Sequence, residues 1–227
     1  MDKKKILKIC LIMIVLIIAI LLFCMIRNYT IAKNIINENV DKAINSESIY
    51  AKTTIKEEEN ISETFENYKK GDKELTINIM NNEDGNSTKI SMYIDGDKET
   101  IYYENKAGKF VQQDEIQKIE KPTEEDARAS LEKESKIATF FAGAFTPFKS
   151  VNIDGKDCYL VQKSSLPIFE DMLNDDAKDR RIYIDKETYM IVKTVADDVI
   201  TEYEYEFNNV DDNIFIQPDI NEYEPYV

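Results

Sequence analysis

The chain has 227 residues, 44 acidic against 29 basic, a formal net charge of −15 and no histidine. The missing imidazole excludes histidine-based catalysis and histidine-ligated metal sites, and the surplus of carboxylates disfavours nucleic acid as a partner. With 43% hydrophobic residues, the chain is large enough for one globular domain with its own core.

Lys3, Lys4, Lys5 and Lys8 precede Ile9–Ile26, an uninterrupted apolar run that as a helix spans about 27 Å, close to the hydrocarbon thickness of a bilayer. A cleaved signal peptide or a lipid-accepting Cys24 would want small residues before the cut. Leu21, Leu22 and Phe23 stand there instead, so residues 1–27 are expected to be cytoplasmic lysines and an uncleaved single-pass membrane anchor. The lysines stay in the cytoplasm on the positive-inside rule, placing residues 28–227 outside. Residues 1–27 hold five basic residues and one acidic, which leaves −19 on residues 28–227. Cys10 and Cys24 lie in the apolar run and Cys158 is alone outside it, so Cys158 reads as a small buried residue.

Ile31, Ile35, Ile36, Val40, Ala43 and Ile44 form a helical stripe that extends the anchor outward. From Ser48 to Gln113 short alternating runs (SIYAKTTIK, ELTINIMN, KISMYIDG, ETIYYEN, KFVQQ) are separated by Gly- and Asp-containing turns, the pattern of an antiparallel meander. Pro122-Thr123 opens a predicted helix over 123–145, with Thr123 and Asp126 spaced as a capping box and Ala127, Leu131, Ala138, Phe141, Ala142 and Phe145 on one face. Gly143 is expected to loosen its last turn. Strands follow at Val151–Ile153 and Cys158–Gln162, then a short helix after Leu166-Pro167, then strands at Arg181–Ile184, Met190–Val195 and Val199–Phe207.

The last of these contains TEYEYEF, in which Glu202, Glu204 and Glu206 alternate with Tyr203, Tyr205 and Phe207. A period of two puts the carboxylates on one strand face and the aromatics on the other. The glutamates are then a solvated face rather than an acid/base pair.

The hairpin RIYIDKETYMIVK (181–193), the TEYEYEF strand and the tail NIFIQP (213–218) resemble the closing elements of the lipoprotein-carrier (LolA-like) superfamily, including its clostridial germination-lipoprotein branch. The resemblance implies an α+β fold: a strongly curved antiparallel β-sheet, a half-barrel, with helices covering its concave side. It also implies that Tyr203, Tyr205 and Phe207 line the concavity and that Phe140, Phe141 and Phe145 form a plug or lid over it, the six together being the expected ligand-binding residues.

No G-x-S-x-G, P-loop or dinucleotide fingerprint occurs among the six glycines. Asn174, Asp175, Asp176 with Asp179, and Asp95-Gly96-Asp97, do not follow a calcium-loop pattern and read as turns. No enzyme activity, metal or cofactor is therefore expected. Two functions stay open: a binder of a lipid or acylated protein at the cell envelope, or a scaffold that docks an envelope enzyme, such as a cell-wall or spore-cortex amidase, or a signalling protein, with a filled, lipid-free concavity.

Overall fold

A computed structural model describes residues 3–58, 60–82, 85–116, 123–133, 135–173 and 179–226. Its first element is one helix, α1 (Lys3–Asn45), uninterrupted by Pro or Gly. From Ile6 to Cys24 its side chains are exposed on all sides, as is Ile26, and by length and composition this segment can cross a membrane. Beyond Arg27 the same helix changes character: Ile31, Ala32, Ile35, Ile36 and Val40 are buried along one stripe, while Ala43 is exposed.

The strands are β1 (Ser48–Glu57), β2 (Asn60–Lys70), β3 (Lys73–Asn81), β4 (Ser87–Asp95), β5 (Lys98–Asn105), β6 (Gly108–Glu115), β7 (Lys149–Ile153), β8 (Lys156–Val161), β9 (Arg180–Asp185), β10 (Ile191–Ala196), β11 (Val199–Phe207) and the short β12 (Glu224–Pro225). They form one curved, unclosed twelve-stranded sheet in the order β12-β6-β5-β4-β3-β2-β1-β11-β10-β9-β8-β7. Every pairing is antiparallel except β12 with β6. The α+β architecture expected above is thus present. β2 was not among the alternating runs, because Ile61, Phe65 and Tyr68 are spaced among charges on both of its faces.

Between β6 and β7 lie α2 (Glu124–Ala129) and α3 (Lys136–Phe145), and α4 (Pro167–Leu173) follows β8. The single helix expected over 123–145 is two. The capping box at Thr123 and Asp126 forms, but Ser135 starts a new helix by accepting from the Ala138 N–H, and Thr139 Oγ1 accepts from the Lys133 N–H. Those side chains satisfy backbone groups that a continuous helix would have bonded itself. Pro122, and Asn174, Asp175 and Asp176, lie outside the described residues.

Two cores occupy opposite faces of the sheet. On one face of β8–β10, the α1 stripe packs with Ala142, Phe148, Val161, Leu166, Phe169, Ile182, Ile184 and Ile191. On the other face of β4–β6, Tyr93, Tyr102 and Val111 pack with Tyr223. There the tail covers the sheet: Tyr102 donates to Gln217 Oε1 at 3.1 Å and Tyr223 donates to Glu104 Oε1 at 2.7 Å. A third cluster on that outer face holds Cys158, fully buried with Tyr183 and Val195; burial pushes its thiol pKa up, the environment of an inert cysteine.

The hairpin β9–β10 is tied to α1. Asp185 Oδ1 accepts from the backbone N–H groups of Glu187 and Thr188. Tyr189 stands in the left-handed region at φ 56°, where a bulky residue is uncommon. Its hydroxyl accepts from Asn34 Nδ2 at 3.1 Å and its carbonyl from Asn39 Nδ2 at 3.4 Å, contacts that hold the turn against the helix.

α3 runs alongside α1 through its small residues. Ala142, Gly143 and Ala144 are its buried positions, and a Cβ built on Gly143 would stand 3.0 Å from Ala32 Cβ and 3.5 Å from Tyr29 Cδ2. Gly143 therefore permits close helix approach rather than loosening a turn. Replacing Gly143 by Val should force the helices apart and destabilise the protein by about 1–3 kcal/mol. Urea unfolding of the full chain in detergent should show the loss, whereas Ile137→Val on the opposite, exposed side of α3 should change little.

Candidate functional site

The aromatics of TEYEYEF stack along one face of β11. Tyr203 and Tyr205 have ring centroids 6.5 Å apart at 3°, Tyr205 and Phe207 6.3 Å apart at 10°. Tyr203 packs against the core under α1, and Lys42 Nζ of α1 lies 5.2 Å from the Phe207 ring centre, within cation–π range. Burial raises the Tyr205 pKa to about 12. On the other face Glu204 and Glu206 are exposed, while Glu202 pairs with Lys56 and Lys193; its hydrogen bond from Lys56 holds its carboxyl below the usual range.

Phe140, Phe141 and Phe145 are elsewhere. Phe140 meets Tyr29 at 4.8 Å between centroids, and Phe141 stacks on Phe145 at 6.1 Å. Phe141 is 48% and Phe145 68% exposed, because the small residues of α3 take the contact with α1. Tyr29 and Lys42, which touch the two aromatic groups, stand thirteen residues apart on α1, about 20 Å at the helical rise. The six residues thus form two separate groups, and the space between α1 and the sheet is filled by Ile35, Leu166, Phe169, Ile182 and Ile184, none more than 1% exposed. A cleft of about 260 Å³ between the helices is lined by Lys33, Arg128, Glu132 and Lys136 as well as Tyr29, too charged to suit an acyl chain.

Strand register shows what the ladder continues into, since directly opposed residues share a face. Tyr203 is opposite Thr53, and that row runs through Phe65, Asn78, Ile90, Tyr103 and Phe110. Tyr205 is opposite Ala51, and its row runs through Asn67, Thr76, Met92, Ile101 and Gln112. Every one of these twelve β1–β6 and Gln112-row side chains is half-buried. The helices cover β8–β10 and Tyr223 of the tail covers the opposite side of β4–β6; on the helix-bearing side Tyr226 stacks on Tyr103 at 4.7 Å and meets Phe110 at 6.2 Å, and the rest of this half is left open. The polar members are organised within it: Asn67 Nδ2 donates to Thr76 Oγ1 at 3.0 Å and to Glu74 Oε1 at 2.8 Å, and Asn78 Nδ2 donates to Glu63 Oε1 at 3.0 Å. Sequence alternation indicated the ladder; the open face required the pairing of strands distant in the chain.

No known protein family matches the sequence, and no curated protein matches it. Among solved structures the chain is similar to the MucA/MucB complex of Pseudomonas aeruginosa (7% identity, TM-score 0.33, 82% of this chain and 61% of that one). It is also similar to MucB (8%, 0.30, 83% and 62%) and to a DUF1329 family protein from Desulfovibrio piger (10%, 0.27, 84% and 96%). The chain thus spans less than two thirds of the MucB-containing chains.

The ladder gives an alkaline prediction. The native pKa of Tyr205 lies above the ordinary value near 10, so the folded state holds this proton more tightly than the unfolded one. Its contribution is complete below about pH 10 and is lost as pH rises toward about 12. Tyr50, Tyr93, Tyr102, Tyr103 and Tyr159 are raised in the same direction, chiefly by burial. Urea midpoints should therefore fall through this window, and Tyr205→Phe should flatten the fall while leaving neutral-pH stability within about 1 kcal/mol. An unchanged alkaline slope in the variant would show that the Tyr205 ring is solvated.

Proposed function

We propose that the protein is a single-pass, membrane-anchored extracytoplasmic binding module without enzyme activity, which docks a protein partner on the open half of its sheet. Tyr203, Tyr205 and Phe207 form the inner margin of that docking face. The observation that carries this reading is the contrast between the filled space under α1 and the half-exposed rows across β1–β6. A filled space offers no room for an acyl chain, whereas the open rows mix Phe65, Ile90, Met92 and Ile101 with Asn67, Thr76, Asn78 and Gln112. Hydrocarbon laid on those amides would strip them of water without replacing its hydrogen bonds; a polypeptide can replace them. The net charge of −19 on residues 28–227 favours a partner segment that is basic as well as apolar.

The LolA-like resemblance of 181–218 supports the same class, in which carriers and scaffolds work by binding. Its clostridial germination branch points to an envelope amidase as one kind of partner, and an envelope signalling protein is another. A lipid or acylated protein remains the competing occupant, favoured by the stacked rings of the ladder.

A photo-reactive amino acid placed at Ile90 or Met92 of the full chain in its own membrane should yield one defined protein adduct that weakens with salt. The same group at Lys89, on the outer face of β4, should not. Equal labelling from the two faces overturns the docking face, and an adduct with the mass of a lipid replaces the scaffold reading by the lipid one.

A further inference from the structure

α3 presents an apolar stripe to the outside. Ile137, Phe141 and Phe145, spaced at i, i+4 and i+8, are 72%, 48% and 68% exposed, and α3 contains no acidic residue. Its position along α1 is fixed by two hydrogen bonds: Asn28 Nδ2 donates to the Ala144 carbonyl at 3.3 Å, and Arg27 Nη1 to the Phe148 carbonyl at 3.2 Å. Asn28 is two residues beyond Ile26, the end of the apolar run, hence about 3 Å along the helix axis. The interfacial layer on each side of the hydrocarbon is about 5–8 Å deep. The C-terminal end of α3 therefore stands within that layer whenever the apolar run is in the hydrocarbon.

We propose that the Phe141–Phe145 end of this stripe rests in the interfacial layer of the same bilayer that holds α1, so that the domain stands on two apolar supports and its rotation about the anchor axis is restricted. The inference rests on the anchor reading above. Phe145 enters first, Phe141 lies about 6 Å farther out, and Ile137, about 12 Å from Phe145, stands above the layer. The surroundings fit this occupant. Tyr29, Phe140, Phe141 and Phe145 form a continuous chain of ring contacts; Tyr belongs to the class enriched at membrane–water boundaries, and Phe to the apolar faces of interfacial helices. In an otherwise acidic domain Arg27 donates to the Phe148 carbonyl, three residues beyond Phe145, and Lys149 and Lys163 line a cleft with Pro147 just past the end of α3, where the neighbouring Asp179 is paired with Arg181. Cations beside an apolar stripe suit anionic headgroups.

The chain has no tryptophan and 13 tyrosines, so Phe145→Trp and, separately, Phe23→Trp each introduce a single tryptophan into the full-length protein, excited at a wavelength the tyrosines do not absorb. Both are reconstituted in vesicles containing anionic lipid, with or without bromine on the acyl chain near the headgroup. Phe23→Trp reports the anchor, and Phe145→Trp should lose emission about two-fold in brominated lipid, as expected of a ring sunk about 5–10 Å into the boundary. Phe141→Trp provides the same reading if the first variant misfolds by circular dichroism. Quenching at Phe23 with water-like, unquenched emission at Phe145 and Phe141 overturns the proposal and leaves the anchor intact. Blue-shifted emission indifferent to bromine means that protein covers the stripe, which also overturns it. No quenching at Phe23 removes the anchor reading and the stripe's contact with it.

Discussion

The packing of α1 against the sheet is the constraint on which the rest of the molecule depends. Ile35 is fully buried against a core that includes Leu166, Phe169, Ile182 and Ile184, which joins the first element of the chain to strands well over a hundred residues later. Because α1 continues unbroken from its apolar run into this stripe, no linker separates the segment able to cross a membrane from the core. The same side chains that stabilise the domain therefore set its height and direction relative to the end of that run. Gly143 and its alanine neighbours extend the constraint by seating α3 flush on α1, which turns the phenylalanines outward.

A sheet this wide cannot be buried by one layer on one side. It solves the problem by changing sides, with helices on one face of β8–β10 and the C-terminal tail on the other face of β4–β6. The tail is held by side-chain contacts such as Lys70 with the Val210 carbonyl and Asp212, and by Tyr223 beside Tyr102 at 4.8 Å between centroids. What this arrangement leaves open is the helix-bearing face of β1–β6 apart from Tyr103 and Phe110, on which Tyr226 lies. Its mixed apolar and amide character then follows from the physical requirement that a half-wet surface be soluble alone yet have apolar area to bury.

Much of the fold was legible in the residues. Alternation located most strands of the meander, and the turn Asp185–Thr188 was read correctly because Asp185 supplies its own acceptor to the next residues. The two faces of TEYEYEF followed from period two, and its glutamates do point away from the aromatics. The helix at 123–145 was misread, since apolar spacing continues through Leu131 to Phe141 while the decisive signal, Ser135 as a cap, is a short polar interaction that competes only locally. The resemblance implied Phe141 and Phe145 as part of a plug or lid, and nothing in local spacing says that the contact with α1 goes instead to Ala142, Gly143 and Ala144, where backbones approach more closely.

The sequence by itself determined the membrane-length helix, the strand periods, the hairpins and the absence of imidazole chemistry, all of which depend on residues close together in the chain or on composition. Only the tertiary structure decided that β1 pairs with β11, joining Thr53 to Tyr203, that Tyr223 of the tail takes the outer face, and that two aromatic groups stand apart along α1. The reason is that a period of two sorts side chains onto two faces without saying which face will be covered. Covering is settled by competition among distant segments for the same apolar surface, and that competition exists only once the chain has folded back on itself.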